Sequence, residues 1–217
     1  EKSRRAGEWA IEWDGGYGAI GPLITSTDDG VTTRFRLLDG SPPDSAVRLV
    51  GFARGADPRA WLGLEFQPVQ IPSRVGALPA WKIPGSDTTW ALFVHGRGAT
   101  RAEVLRMLPT YHALGLPCLV LSYRNDPGAP RVAEGGYRFG VTEWLDLEDA
   151  VRFALDHGAR RVVLVGCSMG GGIVAQFLRR SELRGQVSVA VLDAPALDWN
   201  AVLALAGQQR RVPMAIT

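Results

Sequence analysis

The chain has 217 residues, of which 46% are hydrophobic and 21% charged, and its formal net charge is +2. This length and composition are typical of one globular domain, or of one domain with an extension, and they exclude a disordered or fibrous protein. The 24 basic and 22 acidic residues form no basic stripe, so we expect no role in nucleic-acid binding. No run of about 18 apolar residues predicts a membrane span.

Two cysteines, Cys118 and Cys167, lie in apolar, strand-like segments. They are too few for a disulfide framework, and we expect them to be buried thiols. The sequence begins at Glu1 rather than Met, which predicts a missing N-terminal segment; a signal peptide, an anchor and other residues all fit this position. The compartment therefore stays open between cytoplasmic and extracytoplasmic.

The composition of the chain changes near residue 63. Residues 1–63 are rich in Gly, Trp and turn residues, include a strand-like segment at 32–38, and predict a β-rich N-terminal extension. In residues 64–217, strands alternate with amphipathic helices, a pattern typical of a mostly parallel sheet covered on both faces. The predicted fold is α/β, a doubly wound sheet preceded by the extension.

The predicted elements follow one another as in βαβ units. Two opening strands at 64–71 and 78–83 contain prolines, which favours antiparallel pairing near an edge of the sheet. Continuous apolar runs at 90–94 and 118–123 are typical of central parallel strands. Two further strands are predicted at 162–165 and 187–192. The predicted helices are 101–114, ended by Gly115; a helix with Thr142 as N-cap that ends at Gly158; and 170–180.

The segment Gly166-Cys167-Ser168-Met169-Gly170 matches the pattern GxSxG. A buried strand is predicted before it and a helix after it, which is the context that this pattern requires. Such a turn strains the backbone at Ser168, and glycines at positions 166 and 170 avoid a clash with neighbouring backbone. We therefore predict Ser168 as a nucleophile and the Met169 N–H as a hydrogen-bond donor to an oxyanion.

A second oxyanion donor is expected at the end of an earlier strand. The segment His95-Gly96-Arg97-Gly98 directly follows the predicted strand at 90–94. We assign the second donor to the backbone N–H of Arg97. Two interpretations of the Arg97 side chain stay open: a contact with an anionic part of a substrate, or a solvated surface position.

The segment 95–98, the strand end at 123–126 (Tyr-Arg-Asn-Asp) and the turn at 166–170 together resemble the α/β-hydrolase superfamily over residues 64–198. Within it, the chain looks closest to serine hydrolases of the esterase, lipase and proline-aminopeptidase-like branch. The resemblance implies hydrolysis of carboxylic esters or related acyl bonds of a small-molecule substrate, through an acyl-enzyme on Ser168, without cofactor or metal. A peptidase, an acyltransferase and a non-catalytic binding protein are alternatives on this fold.

In that family the catalytic acid and histidine follow the nucleophile. Here His95, His112 and His157 all precede Ser168. The resemblance gives His95 a structural role, and the other two lie on or at the end of predicted helices as surface or packing residues. Because residues 212–217 supply no closing element, we expect a C-terminally truncated hydrolase that lacks the last strands. Its catalytic histidine would then lie beyond residue 217 or on a second fragment.

Several other side chains allow two interpretations. Asp193 ends the strand after the GxSxG helix and fits either a catalytic acid or the cap of a turn or helix. Asp198 and Asp126 fit caps in the same way. Trp144 and Trp199 lie near predicted loop ends, where they fit either an acyl pocket or ordinary core packing.

Overall fold

The computed structural model describes residues 9–44, 46–53, 55–133 and 135–209. The predictions for residues 1–8 and 212–217 lie outside these ranges. Within them, the chain forms a four-stranded sheet, a six-stranded sheet and five α-helices. No helix in the described part of the chain is long and apolar enough to cross a membrane.

The four-stranded sheet is antiparallel, with the strand order β3-β2-β1-β4. Its strands are β1 Trp9–Trp13, β2 Gly16–Ser26, β3 Val31–Gly40 and β4 Arg48–Val50. Ala10, together with Ala53 and Ala56 in the segment that follows β4, belongs to a hydrophobic cluster that also contains Phe93 of the larger sheet. The N-terminal sheet is thus joined to the rest of the molecule by shared apolar packing.

The larger sheet has the strand order β10-β9-β7-β8-β6-β5. Its strands are β5 Gln67–Ser73, β6 Gly76–Ile83, β7 Thr89–Val94, β8 Cys118–Leu121, β9 Arg161–Cys167 and β10 Val187–Asp193. β6 pairs antiparallel with the edge strand β5 and with β8, whereas β8, β7, β9 and β10 are mutually parallel. Parallel strands require a crossover connection, and helical segments lie in the chain between β7 and β8, between β8 and β9, and between β9 and β10. The sheet is mixed and mostly parallel, as predicted.

Helices cover both faces of this sheet. Trp90, Leu92 and Val94 of β7 belong to one hydrophobic cluster, and Ala91 and Phe93 belong to the other, because successive side chains of a strand point to opposite faces. The α-helices are α1 Pro58–Leu62, α2 Leu108–Ala113, α3 Trp144–Asp156, α4 Met169–Arg180 and α5 Trp199–Gln209. α3 and α4 pack on the first face, and α1 and α2 pack on the second. This is a doubly wound α/β sheet.

The helix predicted at 101–114 is interrupted. The structure has a 3₁₀ helix at Arg101–Arg106, followed by α2. Pro109 has no N–H to donate to the preceding turn, so the helical hydrogen-bond ladder stops there, whereas proline is tolerated in the first turn of a new helix. The prediction of one continuous helix is therefore wrong.

The turn before α3 is organised by Glu143 rather than by Thr142. Glu143 is fully buried, and its carboxylate accepts three backbone N–H groups, which belong to Arg138, Gly140 and Thr142. The Thr142 hydroxyl is buried and has no hydrogen-bond partner among the described residues. A carboxylate is a stronger acceptor than a hydroxyl, so the turn folds around Glu143, and the prediction of Thr142 as N-cap is wrong.

Candidate active site

Ser168 stands in the turn between β9 and α4, with φ 50° and ψ −114°. A positive φ is uncommon for a residue other than glycine and costs about 1–3 kcal/mol. The Ser168 N–H donates to the Asp193 carbonyl oxygen (2.9 Å), and the Ser168 carbonyl oxygen accepts the Ala196 N–H (2.9 Å). The surrounding backbone therefore holds the strained turn and leaves Ser168 exposed at the start of α4.

Two glycines allow the backbone to pack closely around this turn. A Cβ atom on Gly166 would lie 2.6 Å from the Gly170 carbonyl oxygen. A Cβ atom on Gly170 would overlap the Val94 carbonyl oxygen at the end of β7. Because both neighbours are backbone atoms that cannot move aside, the turn requires glycine at each position.

The loop after β7 lies directly beside Ser168. A Cβ atom on Gly96 would be 3.2 Å from the Ser168 Cβ atom. The Gly96 N–H donates to Glu103 Oε2 (2.6 Å), and the Gly96 carbonyl oxygen accepts a hydrogen bond from the Tyr123 hydroxyl (3.1 Å). This carbonyl and the Arg97 N–H belong to one planar peptide unit and point in opposite directions, so fixing the carbonyl also fixes the N–H.

Two backbone N–H groups, one next to Ser168 in the chain and one in the adjacent loop, have no acceptor among the described residues. Neither the Arg97 N–H nor the Met169 N–H donates to a backbone or side-chain group of the described residues. Met169 is the first residue of α4, where an N–H has no acceptor within the helix. Gly98 has φ 68°, and it turns the loop after Arg97. Both N–H groups therefore remain available to an acceptor from outside the described residues.

His95 is fully buried beneath this loop. Its Nε2 atom lies 2.8 Å from Asp126 Oδ2, its Nδ1 atom lies 2.9 Å from the Gly96 carbonyl oxygen, and its ring stacks on Tyr123. Asp126 is 2% exposed and also accepts the Tyr123 N–H and the Tyr137 hydroxyl. Burial raises the pKa of Tyr123 well above its usual value, so the Tyr123 hydroxyl keeps its proton and donates. Both His95 nitrogens are occupied, and this residue supports the loop.

The other two histidines lie in helical positions. His112 belongs to α2, and His157 follows the last residue of α3, where its ring stacks on Phe153 at 4.0 Å. All three histidines of the chain lie in the described ranges, and none forms a hydrogen bond with Ser168. The structure therefore does not bring a histidine and Ser168 together.

Asp193 ends β10 next to the turn. Its carboxylate pairs with Arg106 (2.6 Å), and it accepts no backbone N–H among the described residues, so it does not act as a cap. Asp198, in contrast, caps the start of α5, because its Oδ1 atom accepts the Asn200 N–H (2.9 Å). The position of Asp193 is fixed by its carbonyl group as well, which accepts the Ser168 N–H.

The two cysteines are buried thiols, as predicted. Burial raises the pKa of Cys118 to about 12 and, as the largest of several causes, that of Cys167 to about 11. Both thiols are therefore protonated near neutral pH, and Cys167 is not a competing nucleophile beside Ser168. In the described residues, no three His, Cys, Asp or Glu side chains come together as possible metal ligands.

A row of three side chains in contact, Arg97, Phe139 and Trp199, borders the site. The Arg97 guanidinium lies 5.6 Å from the centre of the Phe139 ring, and that ring packs against Trp199 at 4.4 Å. Phe139 has φ 54°, a strained value that the buried Glu143 carboxylate maintains by holding the N–H groups on either side of it. Trp199 also packs against the hydrophobic cluster that includes α3 and α4, so the row of side chains is supported by the core.

Sequence reasoning missed Glu103, Arg106 and Phe139. The sequence signal for Glu103 is its place in the first turn of the helix after the loop, which is also an ordinary position for an acidic residue. Arg106 binds a residue 87 positions later in the chain, and Phe139 contacts one 60 positions later. No local pattern marks either contact.

The structure is similar to solved α/β-hydrolase structures. It matches the esterase Pf2001 from Pyrococcus furiosus in two crystal forms, with TM-scores of 0.58 and 0.60 at 23% and 19% sequence identity. These matches cover 68% and 74% of this chain and 58% and 62% of the esterase. The α/β hydrolase GrgF from Penicillium sp. sh18 matches with a TM-score of 0.54 at 21% identity, over 68% of this chain and 54% of GrgF.

No protein-family model matches the sequence, and no curated protein does. The chain has the α/β-hydrolase fold, with Ser168 at the strand-to-helix turn and a glycine-containing loop beside it. It spans about three fifths of the length of the Pf2001 esterase that it matches.

Proposed function

We propose that the chain carries the nucleophile of a serine hydrolase that cleaves carboxylic esters or related acyl bonds. The observation that carries this proposal is the conformation of Ser168, which is exposed, strained and placed at the start of α4. Such strain is retained where the surrounding structure maintains it, and it is concentrated at functional sites. The adjacent Gly96 peptide supplies the second requirement, an N–H donor held from another direction.

In the proposed reaction, Ser168 Oγ attacks the acyl carbon and forms a tetrahedral intermediate. The N–H groups of Arg97 and Met169 donate to its oxyanion. Collapse of the intermediate breaks the bond to the leaving alcohol, which takes the proton that the base removed from Ser168, and forms the acyl-enzyme. Water then attacks the acyl-enzyme, releases the carboxylic acid and restores the Ser168 hydroxyl.

The attack requires a base for the Ser168 proton. None of the three histidines of the chain bonds to Ser168, and both nitrogens of His95 are occupied. We propose that the base is a histidine beyond residue 217 or on a second fragment, as the family resemblance implies. Asp193 is a candidate acid beside the turn at Ser168, but its ion pair with Arg106 must open before it can orient an imidazole.

A fluorophosphonate probe tests the proposal, because it reacts with an activated serine. In the protein that contains this chain, we expect one modified peptide, carrying the label on Ser168. A folded protein that takes no label at Ser168 would contradict the proposal. Hydrolysis of an aryl ester without cleavage of the matching anilide separates an esterase from a peptidase, and transfer to an added alcohol identifies an acyltransferase.

Replacing Tyr123 with phenylalanine is expected to lower kcat about tenfold and to leave KM unchanged, because the hydroxyl orients an oxyanion donor and does not contact the substrate. The measurement is a kcat and KM determination on a neutral aryl ester. Tyr111→Phe is the matched control. Tyr111 lies in α2 and packs on Phe93 of β7, and its hydroxyl forms no hydrogen bond with the loop after β7. Equal kcat losses in both variants would mean that Tyr123 has only a structural role.

A further inference from the structure

We propose that the Arg97 side chain selects esters that carry a carboxylate near the scissile bond, so that the preferred substrates are anionic. This inference rests on the proposed function, because it names the substrate class of the same site. Arg97 follows Gly96, whose α-carbon faces Ser168, and its side chain is exposed. The guanidinium therefore originates within the loop that borders the reacting carbonyl.

The charged groups around Ser168 differ in how they are bonded. Three carboxylates lie on the elements that form the site, and each is engaged: Glu103 by a backbone N–H, Asp126 by a buried imidazole and Asp193 by a guanidinium. Arg97, in contrast, forms no ion pair and donates no side-chain hydrogen bond to the described residues. Arg97, in the loop beside Ser168, thus has no ion-pair partner among the described residues, and its guanidinium is available to an anionic ligand.

The guanidinium is also held in place. It lies over the Phe139 ring, which packs on Trp199 and is fixed by the turn around Glu143. A cation–π contact leaves the guanidinium N–H groups available for hydrogen bonds to a carboxylate. Because this contact restricts the side chain, less conformational entropy is lost when it binds. A freely solvated arginine would have no such support.

The test uses two aryl esters of equal chain length, 4-nitrophenyl hexanoate and the mono-4-nitrophenyl ester of adipic acid, which ends in a carboxylate. We expect the wild-type protein to have the higher kcat/KM on the anionic ester. In Arg97→Gln, the ratio of kcat/KM for the anionic ester to kcat/KM for the neutral ester should fall about tenfold. This fall corresponds to the loss of one charge-assisted hydrogen bond. Arg97→Lys should keep part of the preference, and high salt should weaken it in the wild type.

Arg131→Gln is the matched control, because Arg131 is an exposed arginine of the loop before α3 and has no cation–π contact with Phe139. Its ratio should equal that of the wild type. If Arg97→Gln also leaves the ratio unchanged while the neutral ester is still hydrolysed, Arg97 is a solvated surface residue and the inference is wrong, whereas the proposed function stands.

If neither ester is hydrolysed, the proposed function is wrong. A binding measurement then tests the anion site separately. Adipate and hexanoate are titrated into the wild-type protein and Arg97→Gln, and binding is followed by calorimetry. Tighter binding of adipate to the wild type, lost in the variant, supports the anion site on its own. Equal binding of adipate to both proteins overturns it.

Discussion

Replacing Ser168 with alanine is expected to lower kcat by about 10⁵-fold or more, because the acyl-enzyme forms on this hydroxyl. The N–H donors of Arg97 and Met169 remain, so a small rate above that in water should persist. Alanine keeps a Cβ atom at φ 50°, so the backbone strain and the free energy of unfolding should change little. Initial rates on a neutral aryl ester and denaturant unfolding curves, measured on the same preparations, test both statements.

Ser181→Ala is a control with the opposite expected behaviour. The Ser181 hydroxyl is buried, donates to Glu148 (2.6 Å) and accepts the Leu183 N–H. Its loss should lower the free energy of unfolding by about 1–2 kcal/mol and leave kcat unchanged. If Ser168→Ala lost stability but kept its kcat, Ser168 would be a structural residue, and the acyl-enzyme mechanism would be wrong.

The six-stranded sheet could be predicted from the sequence because its central strands are buried on both faces. Leu92 and Phe93 contact different hydrophobic clusters, yet both are fully buried, so the strand appears in the sequence as an unbroken apolar run. The run at 90–94 corresponds to β7 with a difference of one residue. β10 is less enclosed, since Val189 is 51% exposed, although its apolar sequence resembles that of an inner strand.

The turn around Ser168 could also be predicted, because the residues that shape it lie within five positions. Gly166 and Gly170 are required by contacts with backbone atoms, and glycine alone avoids those contacts. A requirement of this kind leaves a strict spacing in the sequence. Local backbone geometry is therefore the part of the site that a sequence reveals most directly.

The support of the Gly96 loop could not be predicted in the same way. His95 lies 31 positions from Asp126, and Tyr123 lies 27 positions from Gly96, and each pair meets only when β7 and β8 come side by side. The sequence suggests a structural role for His95 only through the family resemblance. The competition between Glu143 and Thr142 for the turn before α3 likewise depends on burial, which a local pattern does not report.

Replacing Gly170 with alanine is expected to lower the free energy of unfolding by about 3 kcal/mol, toward the upper end of the usual cost of overpacking. The new Cβ atom would overlap the Val94 carbonyl oxygen and lie 2.7 Å from the His95 carbonyl oxygen, and neither can rotate away. The strand end and α4 must therefore separate. Denaturant unfolding at constant temperature measures the loss.

Gly185→Ala is the matched control, since a Cβ atom there would meet nothing within 4 Å and Gly185 has no positive φ. This variant should differ from the wild type by no more than about 0.5 kcal/mol. Because the Gly170 contact joins α4 to the end of β7, the same separation would also move Ser168 away from the Gly96 loop. Labelling of Ser168 by a fluorophosphonate should then slow in Gly170→Ala even where the variant is fully folded. Unchanged labelling together with unchanged stability would show that the turn between β9 and α4 tolerates a side chain at this position.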